Sequence, residues 1–280
     1  MKTIGFVDYY ISEWHANNYP NWIKEANEKL GEDFVVKYAW AELDKSLVDG
    51  VTTDEWCEKF GVEKCGSIQE LCEKADYILV LAPSNPEKHL GYAQEVLKYK
   101  KNTYIDKTFT PDYATAKQIF DIAAANGTKF FSTSALRYAD ELADLTNAKA
   151  MFTVGGGSNL DEYIIHQVEM VVKTLKEKAI AVRVEKQGAQ YVCSVKFENE
   201  KTATLLYADG CPFVAGAQLE NGLTKYCPIR SDFFKNLIAD ILHFYLTGKT
   251  PFDTNETLEV MKVREGIVKA KDTLGAWVQI

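Results

Sequence analysis

Four ionisable residues in the middle of this 280-residue chain fall on one helical stripe: Glu162, His166, Glu169 and Lys173. They follow one another at steps of four, three and four, the spacing that puts side chains on one face of an α-helix. Tyr163, Ile164, Val168, Val171, Val172 and Leu175 cover the rest of that helix. An imidazole with a carboxylate one turn before it and another one turn after it is favoured as the imidazolium. Its pKa is expected to rise, which suits a group that exchanges protons near neutral pH. By periodicity alone the stripe is a solvated face. A single His among glutamates lacks the second His of zinc-binding helices, so no metal site is expected.

A second chemistry-bearing residue, Lys107, is placed by the segment 75–110. Tyr77 to Ala82 is an apolar run ended by Pro83, Asn85 and Pro86, the pattern of a strand buried on both faces of a parallel sheet. Lys88 to Lys100 carries Leu90, Ala93, Val96 and Leu97 at helical spacing, and so predicts a crossover helix. A short strand, Thr103 to Asp106, then ends at Lys107. In a right-handed βαβ unit both post-strand loops open on the same sheet edge, where open α/β sheets bind ligands. The 82–89 loop and Lys107 are therefore expected at the lip of one crevice.

These stretches resemble the Gfo/Idh/MocA oxidoreductases, the family of glucose-fructose oxidoreductase and inositol dehydrogenase. The family's T-P-N-x-x-H-like turn corresponds to Ala82-Pro83-Ser84-Asn85-Pro86-Glu87-Lys88-His89, with one extra residue, and its E-K-P to Asp106-Lys107-Thr108. Its G-G-x-x-x-D-x-x-x-H-x-x-D is matched by Gly155-Gly156-Gly157, Glu162, His166 and Glu169, both acids being one methylene longer. Arg137-Tyr138 resembles an arginine–aromatic pair on the family's substrate side.

The resemblance implies an NAD(P)-dependent oxidoreductase acting on a secondary hydroxyl of a sugar, cyclitol or related small polyol. Lys107 would hold the substrate oxygen, and His166 would take the hydroxyl proton with Glu162 orienting it. Arg137, Tyr138 and Glu169 would line the substrate. NAD or NADP would meet Tyr10, His15, Glu42, Pro83, Asn85, His89 and Asp106. The family's open sheet also implies a homodimer or homotetramer.

One part of the pattern is altered. After the first strand, Thr3 to Asp8, a glycine-rich turn should let the backbone approach a pyrophosphate. Set against G-x-G-x-x-G-x-x-H-A, the glycine positions here are Asp8, Tyr10 and Glu13, followed by His15-Ala16 with one residue fewer. Tyr10 would fill the space left for phosphate, and two carboxylates would repel it. An alternative is therefore a member without dinucleotide chemistry, either a metabolite-binding or regulatory protein or a cofactor-free isomerase or lyase.

The rest of the chain frames these residues. Strands and helices alternate up to a strand at Lys129 to Thr133, predicting a doubly wound parallel sheet. The helices are expected at Asn21 to Leu30, Thr53 to Phe60 and Ser67 to Lys74, and from Pro111 to Asn126. Glu42 or Asp44 follows the second strand, where an acid would take ribose hydroxyls. From Ile180 to Leu219 strand-like runs predict a mainly antiparallel sheet, followed by helices at Phe233 to Tyr245 and Thr257 to Leu274. The fold class expected is α/β with a second α+β domain, the domains being 1–133 and 134–280.

Composition excludes other classes. With 32 basic and 40 acidic residues the formal charge is −8, and no basic face offers itself to nucleic acid. No apolar run reaches the length of a bilayer span, and Met1-Lys2-Thr3-Ile4 leads into a strand rather than a signal peptide, so a cytoplasmic protein is expected. The six cysteines form no C-x-x-C pair, and buried thiols are expected.

Overall fold

A computed structural model describes residues 1–280 as two compact units. The first comprises Met1–Thr133 and Leu237–Thr254, and the second comprises Ser134–Asn236 and Asn255–Ile280. No helix is long and apolar enough to cross a membrane.

In the first unit β1 (Lys2–Asp8), β2 (Phe34–Ala41), β3 (Glu63–Lys64), β4 (Tyr77–Val80), β5 (Thr103–Ile105) and β6 (Phe130–Phe131) form one parallel sheet in the order β3-β2-β1-β4-β5-β6. This is the doubly wound order, with its topological switch point between β1 and β4. The inner strands are apolar because helices cover both faces. Those helices are α1 (Trp14–Leu30), α2 (Thr53–Phe60), α3 (Ile68–Lys74), α4 (His89–Val96) and α5 (Tyr113–Asn126). A β-carbon on Gly5 would run into Leu71 of α3, so glycine lets that helix lie close on β1.

Two helix starts differ from the sequence expectation. Pro20 suggests that the first helix begins at Asn21, yet α1 begins at Trp14 and carries Pro20 inside. Its buried residues Ala16, Tyr19, Ile23 and Ala26 make one apolar stripe through the proline. Packing of that stripe offsets the lost backbone hydrogen bond. The fifth helix begins not at Pro111 but at Tyr113, because the Asp112 side chain accepts from the Thr115 amide (2.7 Å) as its cap.

In the second unit β7 (Ala148–Gly155), β8 (Ala179–Gln187), β9 (Gln190–Phe197), β10 (Thr202–Tyr207), β11 (Val214–Leu219), β12 (Thr224–Pro228) and β13 (Trp277–Gln279) run in the order β12-β11-β7-β10-β9-β8-β13. Every pair is antiparallel except β7 with β10. The helices α6 (Leu160–Leu175) and α8 (Asn255–Ala270) pack on this sheet and on each other. Between β7 and α6 the Gly155–Gly157 run passes where a β-carbon on Gly156 would strike the Ala208 carbonyl oxygen.

The helix α7 (Phe233–Thr247) supplies most of the segment 237–254. The sequence reading keeps this segment with the second domain, but it belongs to the first unit. Tyr245 stacks on Tyr77 at 4.7 Å and donates its hydroxyl to the Ile78 carbonyl (2.7 Å), while Phe244 meets Phe131 edge-on. The aromatic area buried against β4 and β6 decides where the segment goes.

Candidate active site

Three strand ends of the first unit bring polar residues to the carboxyl edge of its sheet. At the end of β1, Asp8 is 1% exposed, and its Oδ1 accepts from the amides of Tyr9 (2.7 Å) and Ala82 (2.9 Å). Ala82 sits just after β4 at φ +57°, a left-handed conformation that a β-carbon disfavours. Beyond β5, the Lys107 side chain is buried and its Nζ lies 3.4 Å from the Pro83 carbonyl. The same carbonyl accepts from Thr108 (3.3 Å). His89 opens α4 and touches two carbonyls, that of Phe109 through Nδ1 (2.8 Å) and that of Leu81 through Nε2. The 82–89 turn and the 106–109 segment are thus joined as one lip, as the βαβ geometry requires.

Of the other residues expected on this edge, His15 and Asp106 pair directly, His15 Nδ1 meeting Asp106 Oδ2. Asp106 Oδ1 also receives the Lys107 amide (2.8 Å) and the Tyr104 hydroxyl (3.2 Å). Burial works to raise the Asp106 pKa, but His15, with its charge and hydrogen bond, turns the shift downward. Glu42, at the end of β2, is held by Lys88 Nζ (2.6 Å) and the Tyr92 hydroxyl (2.7 Å). Asp44 instead pairs with Lys64. Tyr10 is half-buried with its ring 5.7 Å from that of Tyr9, and Asn85 reaches Glu87 (3.1 Å).

The turn after β1 is closed rather than glycine-lined. Glu13 is the N-cap residue of α1, and its two carboxylate oxygens accept from the amides of His15 (2.8 Å) and Ala16. It is 7% exposed. Burial pushes its pKa upward against the pull of His15 and of those two amides. Asp8 is pushed further, well above its ordinary value, by burial and then by the nearby Glu13 charge. Asp8 Oδ2 is buried without a hydrogen-bond partner.

The second unit builds its cluster from two matched spacings. On α6 His166 and Glu169 stand one turn apart; on the short 3₁₀ turn Ala135–Tyr138 and its cap, Ser134 and Arg137 stand three apart. Ser134 Oγ and His166 Nδ1 are 2.6 Å apart. Glu169 takes Arg137 Nη1 on Oε1 (2.8 Å) and the Ser134 amide on Oε2 (3.2 Å), and Arg137 Nη2 reaches Glu256 of α8. His166 is 9% exposed, Glu169 2% and Arg137 4%. The polar stripe is therefore not a solvated face: its middle is buried because a cation and a hydroxyl oppose it. Burial disfavours the Arg137 cation, but the two carboxylates outweigh this and its pKa is raised.

Glu162 lies in the first turn of α6, half-exposed, beside its N-cap Asn159. Gln167 ties the helix to the sheet, accepting from Thr153 (2.7 Å) and donating to the carbonyls of Gly155 (3.1 Å) and Leu206 (3.2 Å). Tyr138 is half-buried, and its carbonyl accepts from Asn236 (3.0 Å). Ser134 escaped the sequence reading, although its spacing of three from Arg137, equal to that between His166 and Glu169, was a usable signal. No group of three or more His, Cys, Asp or Glu is placed to hold a metal ion.

The chain thus joins a Rossmann unit to an α+β unit with a mixed, mainly antiparallel sheet. Residues 26–134 match the Gfo/Idh/MocA family model, described as an oxidoreductase family with an NAD-binding Rossmann fold. The match begins beyond the turn that holds Asp8, Tyr10 and Glu13. A 60-residue stretch is 33% identical to the uncharacterized oxidoreductase YhhX of Escherichia coli K12, covering 21% of this chain and 17% of that protein.

Among solved structures, the fold is shared with a probable dehydrogenase from Thermotoga maritima (TM-score 0.81, 12% identity, 99% of this chain and 98% of that one). It is shared equally with the myo-inositol dehydrogenase of Lactobacillus casei, solved in complex with NAD(H) and myo-inositol (TM-score 0.81, 9% identity, 100% and 97%).

The dinucleotide of such a fold rests its pyrophosphate on the amides that open the first helix. Here two of those amides already hold the Glu13 carboxylate. A pyrophosphate does not fit on them while Glu13 stands there.

Proposed function

We propose that this chain is an NAD(P)-dependent oxidoreductase acting on a secondary hydroxyl of a sugar, cyclitol or similar polyol. The observation that carries the reading is the match of residues 26–134 to an oxidoreductase family with an NAD-binding Rossmann fold. The shared fold of a myo-inositol dehydrogenase supports the substrate class.

The chain's own part is proton and oxygen handling. In the tautomer whose Nδ1–H donates to Ser134 Oγ, Nε2 is the atom of His166 that takes the hydroxyl proton. Glu169 holds the Ser134 amide on one carboxylate oxygen and the Arg137 guanidinium on the other, and Ser134 in turn orients the imidazole. Glu162 retains its proposed place as an acid beside the base, and Tyr138 lines the substrate. Lys107, just past the end of β5, keeps the role of holding the substrate oxygen, its ammonium lying on the Pro83 carbonyl.

A second reading, a metabolite-binding or regulatory protein or a cofactor-free isomerase or lyase, is favoured by Glu13 on the α1 amides. Titration with NADH and with NADPH, followed by nicotinamide fluorescence, decides between the two. Saturation supports the oxidoreductase, and no signal change up to millimolar cofactor supports the second reading. The apolar residues Phe152, Ile180, Tyr226 and Trp277, exposed on the second sheet, support self-association through that sheet. Light scattering at micromolar concentration tests it, and a monomer would contradict it.

A further inference from the structure

The β1–α1 turn has lost the freedom of a glycine loop. Ile11 is 1% exposed, the Ser12 hydroxyl donates to Asp49 (2.7 Å), the Ser46 hydroxyl donates to the Ser12 carbonyl (2.7 Å), and the Leu43 amide donates to the Tyr9 carbonyl (2.8 Å). The group that holds the α1 amides in this closed turn is the Glu13 side chain. Glutamate is not among the residues that usually cap a helix, which are short ones such as Ser, Thr, Asp and Asn. Its longer stem here folds back so that each carboxylate oxygen takes one amide, at the end of a 17-residue helix where the macrodipole favours an anion. A second observation lies beside it. Asp8 is buried with one carboxylate oxygen unpartnered, and it interacts electrostatically with Glu13. Glu13 is thus kept among acids by the amides it holds.

We propose that Glu13 is a built-in competitor for pyrophosphate: it occupies the α1 amides in the free chain, and a dinucleotide gains them only by displacing it. This deepens the oxidoreductase reading and rests on it for the identity of the dinucleotide. The apparent affinity of a ligand falls by the fraction of molecules whose seat is open. A seat closed by Glu13 in nine molecules of ten or more therefore weakens binding about tenfold or more.

The test compares Glu13→Ser, which keeps a helix cap without the charge, with Glu13→Asp, which keeps both, and with the isosteric Glu13→Gln. Inorganic pyrophosphate is titrated by calorimetry and NADH by fluorescence, after melting curves establish that each variant is folded. Tightening of both ligands by about tenfold or more in the Ser and Gln variants, with Asp near wild type, is the expected result. If a variant without the charge fails to fold, the other carries the comparison. A capping role alone would leave Ser and Asp alike. Gain of pyrophosphate without NADH would uphold Glu13 as competitor and remove the dinucleotide reading. Wild type binding NADH within twofold of the Ser and Gln variants would overturn the competitor and leave the oxidoreductase standing. No binding of either ligand by any variant would overturn the proposal as well.

Discussion

Replacing Asp8 by Asn should stabilise the protein at neutral pH, and by less as the pH falls. Asp8 is 1% exposed and its pKa is raised well above the ordinary value, first by burial and then by the Glu13 charge. The folded state therefore holds a proton that the unfolded chain releases near pH 4. Stability from this group is present below the unfolded pKa and is lost as pH rises toward the folded one, at about 1.4 kcal/mol per pH unit. Asn keeps Oδ1 as acceptor for the amides of Tyr9 and Ala82 and puts an uncharged amide nitrogen where the ionisable oxygen stands. The gain at pH 8 is about 1–3 kcal/mol, the linkage term of about 1.4 kcal/mol per pH unit less the cost of burying the new N–H groups. For a chain of this size that is a melting shift of roughly 2–5 °C. Calorimetric melts at intervals from pH 4.5 to 8.5, at fixed ionic strength, measure it. A shift of constant size across that range, or a loss of stability at pH 8, would refute the reasoning.

Arg137→Met leaves Glu169 buried without its guanidinium and should cost about 3–5 kcal/mol in urea unfolding; adding Glu169→Gln should recover at least half. A loss no larger than that of an ordinary surface change would show that the ion pair does not hold the cluster. Ser134→Ala removes one hydrogen bond of about 1 kcal/mol from His166, so kcat should fall roughly fivefold with KM little changed. An unaltered kcat would remove Ser134 from the support of the base.

The β4–α4–β5 unit was legible because its apolar run, helical spacing and turn residues agree, and Lys107 could be put at a sheet edge from order alone. The burial of His166 and Glu169 was not. A polar stripe has the same spacing whether water or Arg137 faces it, and the opposing residues lie some 30 positions away. The departure of 237–254 from the expected domain has a related cause. Phe244 and Tyr245 widen the apolar arc of α7, and periodicity does not say which sheet that arc covers. At the first turn, the residue types showed that the glycines were gone and that acids stood in their place. That Glu13 folds back on its own helix is a side-chain conformation and leaves no trace in spacing.

The most direct measurement is reduction of NAD and NADP followed at 340 nm with a panel of inositols, sugars and aminosugars, for wild type and for His166→Ala. Wild type should turn over at least one polyol of the panel. A loss of about 10²–10⁴ in kcat is expected for the variant, which remains folded although its melting temperature falls by a few degrees with the lost Ser134 hydrogen bond. Turnover by His166→Ala at the wild-type rate would contradict the proposed function, as would a folded wild type that reduces neither cofactor with any member of the panel.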